Sequence, residues 1–88
     1  MIRRQLKGDQ VRITFALPDL AYRVSVVGDF NDWTPGVHTL VKRANGTCSV
    51  AVNLPAGSVQ RFRYLGEGGH WFDDPDVDRD HDAGVLYV

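Results

Sequence analysis

The sequence predicts an all-β domain, an immunoglobulin-like antiparallel β-sandwich, on three observations. Apolar and polar residues alternate in short runs, the mark of half-buried strands. Turn residues (Gly, Pro, Asn, Asp) punctuate those runs roughly every 8–12 residues, the spacing of sandwich folds. No segment combines a 3.6-residue apolar period with caps at both ends. The 88 residues fit one small domain, 1–88, with room for a single core.

Each element follows from its own residues. Val11-Arg12-Ile13-Thr14-Phe15-Ala16-Leu17 alternates strictly and is stopped by Pro18-Asp19. Tyr22 to Val27 is the second expected strand, with Tyr22, Val24 and Val26 on one face. Gly28-Asp29 and Asn31-Asp32 supply the turn chemistry that ends it. Thr34-Pro35-Gly36 is a turn, and Val37 to Arg43 a third strand of less regular pattern. Asn45-Gly46 marks a tight hairpin. Cys48 to Leu54 is the fourth strand, Pro55-Ala56-Gly57 the next turn and Val59 to Leu65 the fifth strand. Gly66-Glu67-Gly68-Gly69 turns the chain toward Trp71-Phe72, the 73–82 segment reads as a solvated acidic loop, and Gly84 to Val88 is the last strand. The expected core is Phe15, Val24, Val26, Val50, Val52, Phe62 and Tyr64, with Cys48 buried beside them.

Composition narrows the function. The hydrophobic fraction of 43% and charged fraction of 24% are those of an ordinary globular chain. No apolar run approaches the length of a membrane span. The N-terminus has charge without a following apolar stretch, so no signal peptide is expected. Residues 1–63 hold nine Lys/Arg against four Asp, while residues 64–88 hold Arg79 against Glu67 and six Asp. A basic body with an acidic loop speaks against nucleic acid, which favours one coherent basic face. Cys48 is the only cysteine, which excludes an intrachain disulfide and fits a reducing, cytoplasmic compartment.

No catalytic or metal constellation emerges. The aspartates at 74, 76, 78, 80 and 82 alternate, but a calcium loop counted from Asp76 would need Gly and Glu where His81 and Tyr87 stand. His38, His70 and His81 lack ligand spacing. The carboxylates sit in turns or a polar loop with no pocket between them for glycoside hydrolysis. Ser25, Ser49 and Ser58 lack a nucleophile elbow. No cofactor is implied.

The tryptophans carry the functional signal. A strand, a Gly-Asp and Asn-Asp turn, then Trp33; a strand, a glycine turn, then Trp71. Phe62 and Tyr64 share one face of their strand, and Arg61, Arg63 and Leu65 the other. With the aromatics in the core, both arginines stand on the outer face beside Trp71, and Trp33 approaches from the neighbouring turn. Indoles pack on the C–H faces of sugar rings while charged and amide groups bond hydroxyls, the mostly apolar site with few polar groups typical of small ligands. The competing reading makes each tryptophan a core or edge cover, Arg63 a solvated strand residue, and Asp29, Asn31 and Asp32 turn formers.

Val26-Val27-Gly28-Asp29-Phe30-Asn31-Asp32-Trp33, Leu54-Pro55-Ala56-Gly57, Phe62-Arg63-Tyr64, Gly69-His70-Trp71 and Asp74-Pro75, in this order, resemble the isoamylase N-terminal, or early-set, domain. That group includes the family-48 carbohydrate-binding modules, found before the catalytic barrels of glycogen-branching and debranching enzymes and in the β subunit of AMP-activated protein kinase. The resemblance covers nearly the whole chain from Val11. It implies a non-catalytic accessory domain that recognises α-1,4-glucans such as glycogen or starch. Trp33 and Trp71 match the stacking tryptophans, and Arg63 stands where binding members carry a lysine, a swap that keeps the charge but changes its shape. The expected carbohydrate-binding residues are Trp33, Trp71, Arg63, Arg61 and Asn31. The loop at 76–84 is shorter and more acidic than in binding members, and no Asn matches their contact. The alternative is a protein-interaction module whose tryptophans pack on a glucan-metabolising enzyme.

Overall fold

The computed structural model describes residues 2–19, 22–80 and 83–88, with only the backbone of Asp80. Among them are nine strands: β1 (Ile2–Lys7), β2 (Gln10–Pro18), β3 (Val24–Gly28), β4 (Val41–Lys42), β5 (Thr47–Pro55), β6 (Val59–Gly66), β7 (His70–Phe72), β8 (Asp78–Asp80) and β9 (Ala83–Tyr87). They form two antiparallel sheets packed as a sandwich. The first has the order β1-β2-β5-β4. The second has the order β3-β6-β9-β8, with β7 also paired to β6.

The alternation seen in the sequence sets the packing. Phe15, Ile13 and Val11 face inward opposite Val50, Val52 and Leu54. Val26 and Gly28 face inward opposite Tyr64 and Phe62. Phe15, Val26, Phe62 and Tyr64 have no exposed surface, and Val24, Val52 and Cys48 are buried as expected; Val50 is half-buried against the same cluster. The rings form one connected network. Phe15 stacks on Phe30 at 5.8 Å and tilts on Phe62 at 5.1 Å, and Tyr64 contacts Phe72 at 5.3 Å. Offset and edge-to-face pairs of this kind add stabilisation beyond the area they bury.

Four expectations are corrected. The N-terminal residues, given no element by the sequence, form strand β1, paired from Ile2↔Phe15 to Lys7↔Gln10. Tyr22 lies outside β3 and is exposed; its ring covers Gly66 and meets His70 edge-on. The third expected strand survives only as β4, because its chain changes sheets. Residues 38–40 bond to β3 (Val26 N–H to the His38 carbonyl, Leu40 N–H to the Val24 carbonyl), and 41–42 then pair with β5. Finally, the 73–82 stretch is not simply a solvated loop. It contains β8, and Asp74 is 1% exposed. Its His81 and Asp82 lie outside the described residues.

Candidate functional site

The outer face of the second sheet carries the aromatic candidates. Along β6, Arg61, Arg63 and Leu65 alternate with the buried Phe62 and Tyr64. In register, Leu65 faces Ser25 on one side and Trp71 on the other, while Arg63 faces Val27.

Trp71 is 41% exposed. Its neighbour Phe72 packs into the core against Tyr64, so strand alternation drives the indole outward. The Arg63 guanidinium carbon lies 5.5 Å from the centre of the Trp71 ring, within cation–π range. Arg63 Nε also donates to Asp73 Oδ1 at 3.1 Å, and Arg79 reaches Asp73 Oδ2 at 3.2 Å. Among the described residues the terminal nitrogens of Arg63 have no protein partner, which leaves donors beside an exposed indole.

Trp33 is held differently. After β3 the chain makes a single 3-10 turn over Asp29–Asn31, and Asp32 and Trp33 both take left-handed backbone conformations, with φ of 54° and 56°. Asp tolerates that region, but a bulky indole does so at a cost. Three contacts hold it there. The Trp33 N–H donates to the Gly28 carbonyl at 2.9 Å; the indole Nε1 donates to Asp29 Oδ1 at 3.1 Å; Asp29 Oδ2 accepts the Arg61 backbone N–H at 2.9 Å. One carboxylate thus pins the half-buried indole to the start of β6. Gly28 makes this approach possible, since a Cβ there would collide with the Arg61 carbonyl oxygen and lie 2.9 Å from Phe62 Cβ.

Arg61, to which Trp33 is tied, and Leu65, opposite Trp71, are four residues apart, about 13 Å along a strand. At the Leu65 end of this face the chain crosses the sheet, where Gly36 N–H donates to Ser25 Oγ, on the register partner of Leu65, at 3.3 Å. A shallow groove of about 440 Å³ lies there, floored by Ser25 and Leu65 and walled by Pro35-Gly36 and the Gly66–Gly69 turn. The sequence did not single out this groove. Its signal was the small residues on both flanking turns.

Asn31 has a different setting. Its Oδ1 accepts the Gly28 N–H at 3.0 Å, and its Nδ2 reaches the Val26 carbonyl and His38 Nδ1, both at 3.0 Å. The amide is spent inside the loop, shaping the turn that presents Trp33.

Asp73 and Asp74 of the acidic segment are engaged by protein groups. Asp73 turns to Arg63 and Arg79. Asp74 Oδ2 accepts the Tyr64 hydroxyl at 2.8 Å, and its Oδ1 accepts the Asp76 N–H at 2.9 Å. Among the described residues no group of three or more His, Cys, Asp or Glu side chains is placed to hold a metal ion. Burial, then the adjacent Asp74 charge and hydrogen bond, with a smaller contribution from Asp76, pushes the Tyr64 phenol far above its ordinary range. It stays protonated and serves as a structural donor. No helix among the described residues is long and apolar enough to cross a membrane.

Compared with known proteins, the chain matches no family model and no curated sequence.

Proposed function

We propose that this chain is an early-set module of the family-48 carbohydrate-binding type, recognising an α-1,4-glucan without hydrolysing it. The observation that carries the reading is the exposed Trp71 ring over the Arg63 guanidinium, whose terminal donors have no protein partner among the described residues. An indole face offers an apolar surface to a sugar ring, and the adjacent donors can bond its hydroxyls. The left-handed backbone at Trp33 is a second support. Strain of order 1–3 kcal/mol persists only where the surroundings impose it, and such residues cluster at ligand sites.

Binding is expected to be weak, because an open platform buries little of a ligand and association costs consume much of the gain. Tryptophan fluorescence titrated with maltoheptaose, with cellohexaose as the control, tests the proposal. A saturable change with the α-glucan alone supports it. No response to an α-glucan at millimolar concentration overturns it in favour of the protein-interaction reading, in which Trp33 and Trp71 pack against a glucan-metabolising enzyme. The exposed Trp71 ring and the apolar Leu65 floor are the observations that favour that second reading. A cytoplasmic setting belongs to the same proposal, resting on the buried free thiol of Cys48.

A further inference from the structure

The first sheet has an outer face of its own, and its chemistry is unlike that of the aromatic site. In β1, Arg3, Gln5 and Lys7 point outward; in β2, their register partners are Thr14, Arg12 and Gln10. Arg12 is therefore directly opposite Gln5 and diagonal to both Arg3 and Lys7. Diagonal neighbours in an antiparallel pair are about 7–8 Å apart, near enough for long side chains to converge. The next strand adds Asn53 opposite Arg12 and Ala51 opposite Thr14. Charges scattered through the linear sequence are gathered here by strand pairing.

A hollow of about 390 Å³ opens over this cluster, lined by Arg3, Arg4, Gln5, Arg12 and Thr14. No carboxylate lines it. Arg4 is engaged with the Tyr87 carbonyl at 3.1 Å. Arg3 and Arg12 form no ion pair or hydrogen bond among the described residues. Arg12 has only neutral amides directly opposite it, Gln5 and Asn53, so no carboxylate in the strand register offsets the cations Arg3, Arg12 and Lys7. Protection of an exposed sheet edge explains cations on β1, but not Arg12, which lies on the interior strand β2.

We propose that this hollow is a binding site for a phosphate group, distinct from the aromatic site and independent of the glucan reading. Two planar guanidinium forks, the Gln5 amide and the Thr14 hydroxyl offer donors suited to a tetrahedral oxyanion, and Arg is the residue best matched to such oxygens. A bound dianion would be attracted by Arg3, Arg12 and Lys7 together.

The test is amide-shift NMR on the intact protein near neutral pH, titrated with inorganic phosphate and, separately, with sodium chloride at matched ionic strength. Saturable shifts centred on Arg3, Gln5, Arg12 and Thr14 with phosphate alone are expected. The exposed pair Arg3→Gln/Arg12→Gln should weaken binding by about tenfold or more, the loss expected for a charge-assisted hydrogen bond. Lys42→Gln, a cation outside the hollow, should leave it unchanged. Glucose 6-phosphate distinguishes the source of the group: tighter binding than inorganic phosphate assigns the site to a sugar phosphate monoester, and equal binding assigns it to the phosphate alone. Equal responses to chloride and phosphate, shifts spread over all surface cations, or unchanged binding in the folded double variant would overturn the proposal.

Discussion

The Tyr64 hydroxyl donates to the Asp74 carboxylate at 2.8 Å inside the sandwich, joining the central strand β6 to the segment that follows β7. Both residues are buried, and the second carboxylate oxygen is satisfied by the Asp76 N–H. Buried polar groups need such partners, and removing one leaves the other desolvated and unpaired. Tyr64→Phe is expected to cost about 1–3 kcal/mol, and Asp74→Ala at least as much. The pH dependence has a definite sign. The folded phenol is held above its unfolded value, so its stabilising effect is complete below about pH 10, where unfolded tyrosine begins to ionise, and is lost as pH rises further. Denaturant unfolding across that range should show stability falling with pH in the parent and a shallower fall in Tyr64→Phe.

Phe62 tests the aromatic network. Its ring has no exposed surface and touches both Phe15 and Tyr64. Phe62→Ala should cost about 3–5 kcal/mol, a large part of a small domain's stability. Cys48, buried beneath the same sheet pair, reports the loss. It should react slowly with a thiol reagent in the parent and quickly in the variant. Fast labelling of the folded parent would contradict its burial.

The legibility of the fold follows the same physics. Val11 to Leu17 was readable because its alternation matches a strand with one covered face. Strand β1 was not, although Ile2, Arg4 and Leu6 alternate with Arg3, Gln5 and Lys7, because an exposed edge strand keeps polar and charged residues on both faces. Residues 37–43 misled because each half answers to a different sheet, so no single period runs through them. Asp74 sits among aspartates that read as solvent-facing, and only the tertiary need of Tyr64 for an acceptor takes it inside. At the candidate site, Trp71 and Arg63 could be placed from strand parity alone. The Asp29 clamp on Trp33 could not, since it depends on a turn geometry that local composition does not specify.

Gly28 is a test of that turn. Its φ of −173° is ordinary extended backbone, so space, not conformation, demands glycine. Gly28→Ala would drive a methyl into the Arg61 carbonyl and toward the Phe62 and Phe30 side chains. Overpacking of this kind costs about 1–3 kcal/mol. The variant's unfolding midpoint should fall accordingly, and the indole of Trp33 should shift its emission as the turn lifts from β6.

Asp29 holds two donors at once, the Trp33 indole and the Arg61 backbone. Both bonds are near solvent, so Asp29→Ala should cost only about 1–2 kcal/mol. Its effect on Trp33 should be larger than its effect on stability. In a Trp71→Phe background, where Trp33 is the sole reporter, acrylamide should quench the Asp29→Ala variant more strongly than the parent. Equal quenching would show that the backbone bonds of Trp33 suffice to fix the ring.

The last prediction separates the two tryptophans. Trp71 stands out from the sheet and covers Arg63, so Trp71→Ala should abolish most glucan binding while lowering stability by less than about 1 kcal/mol, the value of an exposed cation–π pair. Trp33 occupies a left-handed position that glycine enters freely. Trp33→Gly removes a strain of about 1–2 kcal/mol and so offsets part of the packing it deletes. It should therefore weaken glucan binding while lowering the unfolding midpoint by less than the lost packing and indole bond alone would. Arg63→Lys tests the polar half of the platform. It retains a positive charge but loses the planar fork shared between Asp73 and the underside of Trp71. If the guanidinium positions the indole, Arg63→Lys should reduce affinity and red-shift the emission of Trp71 together. Calorimetry with maltoheptaose on the three variants, each with its unfolding curve, decides the matter: binding preserved in the Trp33→Gly/Trp71→Ala pair would place any glucan site away from these indoles.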